Sequence, residues 1–230
     1  MSDNKSAHVA IDYDCKIGRT IPYYKHFSKE IFDLIKTVNP NPAKWLDTGC
    51  GTGSMIVEAL DVFKETEFVL ADPSESMLDI VKEKVQPLLI NNKNITILEA
   101  VATQNIELQQ ESFDIITAVQ CHHYLDLVMR KRTIENCFKL LKRKGIYVTF
   151  ENIRPFSKNA INISLERWRN FQIEEGLKEQ EAKKHIDRFD VEYFPINITK
   201  HLKLLKDAGF DTVELFWMSY MQAGFYAIKP

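Results

Sequence analysis

The densest chemical signal in the sequence is a ten-residue run, Trp-Leu-Asp-Thr-Gly-Cys-Gly-Thr-Gly-Ser, from Trp45 to Ser54. Glycines at 49, 51 and 53 permit positive φ and let backbone N–H groups come close to a ligand. A helix expected to begin near Ser54 adds the unpaired donors of its first turn, which suit an anionic group. Asp47, two positions before the first glycine, places a carboxylate where a cationic tail would be welcome. Asp72 ends a second apolar run, close to the roughly 20-residue offset at which an acid meets a ribose diol. A carboxylate suits that task because it accepts from both hydroxyls at once. Neither feature is specific alone; together they indicate an adenosine-containing cofactor. A P-loop is excluded, since no Gly-Lys-Ser or Gly-Lys-Thr follows the glycines. The alternate-position spacing of Gly49, Gly51 and Gly53 also departs from the GxGxxG of nicotinamide enzymes.

Further candidates lie downstream. His122 and His123 follow a strand-like run and offer a general base near neutral pH, or a rim to the cofactor site. An adjacent pair without other ligands at coordinating spacing does not make a metal site, and none is expected. Tyr124, Trp168 and Tyr220 are candidates to line an acceptor pocket, although aromatic residues at such spacing also build cores. Arg130, Lys131, Arg132, Lys139, Lys142, Arg143 and Lys144 read as a solvated face, because the net charge is only −2. Nucleic acid is therefore not an expected partner. Cys15, Cys50, Cys121 and Cys137 form no CxxC pair and are expected as reduced thiols.

These groups need a scaffold, and the periodicity supplies one. Short apolar or β-branched runs at 44–46, 68–71, 95–98, 113–119 and 146–150 alternate with helical patterns. Such alternation predicts an α/β fold whose mostly parallel sheet is covered by helices on both faces. Runs at 213–217 and 224–228 are joined by a link too short for a parallel crossover, so the last strand is expected antiparallel. Between the fifth strand and these runs, residues 155–195 carry two helical stripes, Ile161–Leu165–Trp168 and Ala182–Ile186–Phe189. An insertion there sits near the carboxyl ends of the strands and reads as a lid. The 230 residues suffice for one core with this lid and an arm at 1–30. The start lacks a signal-peptide pattern and no run suits a membrane span, so a cytoplasmic monomer or homodimer without membrane association is expected.

Residues 46–54 resemble the first motif of class I S-adenosylmethionine-dependent methyltransferases, in the small-molecule branch. Residues 72–78, Asp-Pro-Ser-Glu-Ser-Met-Leu, resemble their second. Residues 113–125 are similar to the fourth-strand motif, and 140–148 to the approach to the fifth strand, with Arg-Lys-Gly where Pro-Gly-Gly is usual. The resemblance implies a seven-stranded Rossmann-like sheet and S-adenosylmethionine as cofactor. It implies that Asp47, Gly49, Cys50, Gly51 and Gly53 surround the methionine portion, with Asp72 and Pro73 at the ribose and Met77 on the adenine. Val101 and Ala102 would flank the adenine edge, where Glu99 or main-chain groups replace a usual acid. Gln120 would present its carbonyl to the cofactor's amino group, and Tyr13 and Arg19 of the arm would fold over it. The expected activity is methyl transfer to a small N, O, S or C nucleophile. A non-catalytic cofactor-binding module and a tRNA-modifying enzyme are the alternatives.

Overall fold

The computed structural model describes residues 6–89 and 94–230; residues 1–5 of the expected arm lie outside it. Seven strands are found among the described residues: β1 (Lys44–Thr48), β2 (Glu67–Ala71), β3 (Ile95–Ile97), β4 (Phe113–Val119), β5 (Leu141–Asn152), β6 (Thr212–Ser219) and β7 (Gln222–Ile228). They form one sheet in the order β3-β2-β1-β4-β5-β7-β6. Strands β1 to β5 pair in parallel, while β7 runs antiparallel to both β5 and β6, as expected. Eight α-helices accompany them among the described residues: α1 (Tyr13–Thr20), α2 (Tyr24–Val38), α3 (Ser54–Val62), α4 (Glu75–Leu89), α5 (Leu127–Leu140), α6 (Lys158–Glu174), α7 (Glu179–Ile186) and α8 (Ile198–Asp207).

Successive strand residues alternate between two cores, which explains the near-continuous apolar runs. Trp45, Ile115, Ile146 and Val148 face one cluster with Ile31 of α2 and Ile56 of α3. Leu46, Ile116 and Tyr147 face the other, with Ile134 of α5 and Leu205 of α8. Local signals set the helix starts. Asp126 accepts from Met129 N at 2.8 Å, Ser157 from Ala160 N at 3.2 Å and Asn197 from Lys200 N at 2.9 Å, each an N-cap that satisfies a first-turn donor.

The chain enters the sheet at β1, builds outward to β3, then crosses back to β4 on the other side of β1. Ligands of open α/β sheets bind at such a switch point, beyond the carboxyl ends of the two strands. Here those ends are Thr48 and Val119, so Gly49 and Gln120 open the site. No helix of the described residues is long and apolar enough to cross a membrane.

Three expectations change. Strand β5 runs to Asn152 rather than stopping at 150, which carries Glu151 and Asn152 to the switch point. The buried stripe of α7 and the turn after it is Ala182, His185 and Arg188 rather than Ala182, Ile186 and Phe189. Arg130, expected on a solvated face, is 1% exposed and donates through Nη2 to Leu125 O and Phe194 O.

Candidate active site

The glycine loop is held by backbone bonds from below and by a carboxylate from the side. Gly49 N and Cys50 N donate to Ala71 O at 2.7 and 3.1 Å, tying the loop to the end of β2. Gly51 N donates to Asp72 Oδ2 at 2.9 Å, and Ser74 N to Asp72 Oδ1 at 2.9 Å. Asp72 is thereby fixed by the loop it faces. Gly49 has φ +67° and a Cβ there would stand 2.5 Å from Cys121 Cβ, so no other residue fits without displacement. Gly49→Ala should cost at least the ~1–2 kcal/mol of a left-handed non-glycine, seen as a drop in melting temperature of ~2–4 °C per kcal/mol. An unchanged melting temperature would show that the loop relaxes freely.

A cleft of about 530 Å³ opens above this loop, within the usual range for a small-molecule or cofactor site. Tyr13, Gly49, Gly51, Asp72, Pro73, Met77, Ala102 and Gln120, all cofactor candidates, line it together with Tyr124, a candidate for the acceptor pocket. Gln104, which the sequence did not single out, lines it as well, whereas Glu99 is exposed elsewhere. Gln120 is held at φ +56°, a costly conformation for a non-glycine that clusters at functional sites. Its Nε2 is buried without a hydrogen-bond partner.

Other expected cofactor residues support the cleft from behind. Asp47 is buried in β1, where Thr117 Oγ1 donates to its Oδ1 at 2.6 Å. Burial, with the neighbouring Asp72 charge, pushes its pKa up to about 7 despite that bond. Val101 N donates to Asp72 O at 3.0 Å. Gly53 starts α3 at φ +72°, with Val81 beneath it. Cys50 packs on the core. Arg19 is a correction: it is exposed, off the α1 stripe of Tyr13, Ile17 and Thr20 that turns inward.

Asp47 makes stability pH-dependent in a definite direction. Between its ordinary value of 3.8 and about 7, the folded chain keeps a proton that the unfolded chain releases. The stability tied to this group is complete below that window and falls by about 1.4 kcal/mol per pH unit across it. Asp47→Asn removes this loss, so its advantage in melting temperature should grow from about pH 5 to about pH 8. An equal shift at both values would contradict the assignment.

Beside the cleft lies a second, smaller chamber of about 20 Å³, which shares Ser6, Tyr13, Gln120 and Tyr124 with it. His123 forms part of its wall. His123 Nδ1 donates to Glu151 Oε2 at 3.0 Å, both side chains being almost fully buried. Glu151 Oε1 also accepts from His122 N at 3.2 Å and lies 3.0 Å from the Thr149 hydroxyl. Burial works to raise the Glu151 pKa, but the hydrogen bond from His123 and the charge of Arg130 help to hold it below the usual carboxylate value. Burial lowers that of His123, with Glu151 opposing. An ionised Glu151 thus fixes a neutral His123 with its proton on Nδ1. His123 Nε2, free of any partner among the described residues, is then the basic atom.

His122 is a different case and corrects the expectation of a shared role. It turns to a separate small void with Arg130, Tyr147 and His201, its Nδ1 3.1 Å from Tyr147 OH. Burial drives its pKa down to about 4. Trp168 is also corrected: it is fully buried, and its Nε1 donates to Thr20 O at 2.7 Å, fastening α6 to α1. Tyr220 sits at φ +50° in the β6–β7 turn against Tyr23, Phe171 and Arg167, away from both cavities. Ligand atoms of Cys121, His122 and Glu151 come within 4.8 Å of one another. Cys121 Sγ donates to Thr48 O at 3.5 Å, and burial pushes its thiol well up.

Comparison with known proteins finds likenesses in sequence and in fold. A family described as a methyltransferase domain matches residues 46–145. A carboxy-S-adenosyl-L-methionine synthase of Nautilia profundicola is 22% identical over 96% of this chain and 92% of its own. The segment that the family matches runs from β1, through the glycine loop, into β5. The Campylobacter hominis protein of the same name is 25% identical over 96% of this chain and 92% of its own. Among solved structures, magnesium protoporphyrin IX methyltransferase of Synechocystis with bound S-adenosylhomocysteine superposes with TM-score 0.64 at 14% identity, covering 90% of this chain and 84% of that one. Phosphoethanolamine N-methyltransferase 2 of Haemonchus contortus gives TM-score 0.67 at 13% identity. It covers 98% of this chain, which spans 57% of that protein's length. At these identities the structural likeness speaks for the fold.

Proposed function

We propose that this chain moves the methyl group of S-adenosylmethionine to a small-molecule acceptor whose nucleophile sits where the cleft meets the chamber. The observation that carries the reading is the His123–Glu151 pair, set in the chamber that adjoins the cleft through Tyr13, Gln120 and Tyr124. The cleft fits the cofactor in size, in the close approach allowed at Gly49 and Gly51, and in the carboxylate of Asp72. Asp72 would hold the ribose hydroxyls, Met77 and Ala102 the adenine, and Gln120 the amino group. When bound, the cofactor supplies a methyl group already activated by the sulfonium.

The protein's own contribution is placement, exclusion of water and proton management. Tyr13 of α1 and the buried wall formed by Tyr193 close the junction from solvent. His123 Nε2 receives the proton that a protic acceptor loses as its bond to the methyl carbon forms. The sulfonium becomes a neutral thioether in the same step, so one proton and one bond pair balance. Glu151 keeps the imidazole in the tautomer and orientation this requires. Incubation with methyl-labelled S-adenosylmethionine and a fractionated metabolite extract tests the reading. Label in one small-molecule fraction, with equal release of S-adenosylhomocysteine, is expected; release without a labelled product would defeat it.

A second reading follows from the near full-length likeness to proteins named carboxy-S-adenosyl-L-methionine synthase. A chain acting as that name says would convert the cofactor itself. Mass spectrometry of the same incubation would then find a carboxylated cofactor and no methylated acceptor.

A further inference from the structure

An orienting carboxylate brings its own difficulty. An ionised Glu151 held against His123 Nδ1 favours the imidazolium, and a protonated imidazole accepts no proton. A compensating positive charge stands behind the carboxylate. Arg130 of α5, almost fully buried, lines a small void with Glu151, with His122 and with His201 of α8. Its Nη2 donates to Phe194 O at 3.0 Å and to Leu125 O at 3.3 Å. Phe194 N in turn donates to His123 O at 2.7 Å, and Leu125 N to His122 O at 3.1 Å. One guanidinium nitrogen thus clasps both backbone segments that hold the two histidines. The other two are not used this way. Arg130 Nε and Nη1, like His122 Nε2 and His201 Nε2, are buried without a hydrogen-bond partner. All four nitrogens belong to side chains lining the void, whose volume of about 10 Å³ is the room of one water.

We infer that Arg130 is a positioning residue for His123, offsetting the Glu151 charge so that the carboxylate fixes the imidazole without protonating it. One water in the void holds the guanidinium in place. The inference rests on the base role proposed for His123 and adds the group that keeps it a base. The hydrogen bonds of such a water balance. It accepts from Arg130 Nε and Nη1 and donates to His122 Nε2 and His201 Nε2, four partners for four sites. Both histidines then carry their proton on Nδ1, which His122 gives to Tyr147 OH at 3.1 Å. Both are also neutral, since burial drives their pKa values down to about 4 and about 3. An anion there would sit against Glu151, the one acid among the described residues lining the void. The charges around His123 are few. Glu151 favours its protonated form, while Arg130 and Arg188 oppose it. The other titratable side chains beside it stay uncharged near neutral pH. Burial lowers the pKa of His122 and His185 and raises those of Tyr13, Tyr124 and Tyr193.

The experiment uses the full chain saturated with S-adenosylhomocysteine, whose own titration is done first. Histidine rings are isotope-labelled and followed by NMR as the pH is lowered, with His123→Gln assigning the resonance of interest. Arg130→Gln removes the charge and keeps an amide donor for Phe194 O, so the His123 titration should move to higher pH. Arg130→Lys keeps the charge and should leave the titration where it is. Glu151→Gln should move it the opposite way, to lower pH. A merely structural Arg130 would affect the Gln and Lys variants alike. A titration that stays put in Arg130→Gln, or moves as far in Arg130→Lys, therefore overturns the positioning role. An Arg130→Gln chain that cannot be folded assigns the charge to stability and overturns it likewise. The water is read in the wild-type chain. Ring nitrogen shifts should show His122 and His201 protonated on Nδ1 alone, and a crystal structure should show one ordered peak bonded to Arg130 and both Nε2 atoms. Protonation at either Nε2, or replacement of that peak by bromide, overturns the water. Failure of S-adenosylhomocysteine to bind overturns the cofactor reading, and a wild-type His123 still protonated at neutral pH overturns its role as a base.

Discussion

Replacing Asp72 with alanine should raise the dissociation constant for S-adenosylhomocysteine by ~100-fold or more, because two effects act together. The first is direct. On the proposed reading, this carboxylate lining the cleft would accept the ribose hydroxyls through charge-assisted bonds worth about 1.5–3 kcal/mol each. The second is structural, since the same carboxylate accepts from Gly51 N and Ser74 N, one per oxygen. Alanine leaves both donors unpaired and releases the glycine loop from the β2 end. Asp72→Asn separates the two effects: it keeps one acceptor oxygen and the shape, and should lose ~10-fold. The ligand-induced rise in melting temperature is a second readout, because stabilisation grows as the logarithm of ligand over dissociation constant. A wild-type rise surviving in Asp72→Ala would remove Asp72 from the cofactor site.

How far the sequence reached depends on what kind of signal each residue carried. The sheet was legible because its strands are buried on both faces, as the alternation of Trp45 and Leu46 between the two cores requires. The glycine loop was legible because glycine, for steric reasons, stands where only glycine fits, as at Gly49. The chamber was not. Glu151 and Asn152 continue β5 past its apolar stretch, so polarity disguised them as the residues after a strand. His185 and Arg188 share the inward stripe with Ala182, but a helical stripe is recognised by its apolar members, which drew the expectation to Ile186 and Phe189. The aromatic candidates failed for the reverse reason. Trp168 is as apolar as a pocket wall should be, yet its indole N–H is spent on Thr20 O, and side-chain composition does not reveal that bond. An acid directly after an apolar strand, in a chain with His-His at the previous strand end, was the available clue to Glu151.

His123→Gln should lower the rate of methyl transfer by ~10²–10⁴-fold, the usual contribution of a general base, with S-adenosylhomocysteine affinity unchanged. Glutamine keeps a polar group in the wall, so the cofactor cleft, to which His123 contributes no surface, should be undisturbed. The wild-type rate should have an acid limb set by protonation of Nε2. Burial lowers the His123 pKa below its ordinary 6.5, so that limb should fall below the usual histidine range and the rate should be level above it. Glu151→Gln sharpens the test. The Glu151 charge opposes the effect of burial on His123, so its removal should carry the limb to still lower pH. At the same time the loss of a fixed tautomer should reduce the plateau rate. A purely structural role for the pair would instead lower stability and rate together without moving the limb. The variant will also be less stable, since Arg130 and the two histidines lose the one acid whose charge acts on all three, so the profile must be taken below its melting temperature. A plateau that drops while the limb shifts downward identifies a base and its orienting acid; a limb that stays in place would show that the proton leaves by another route.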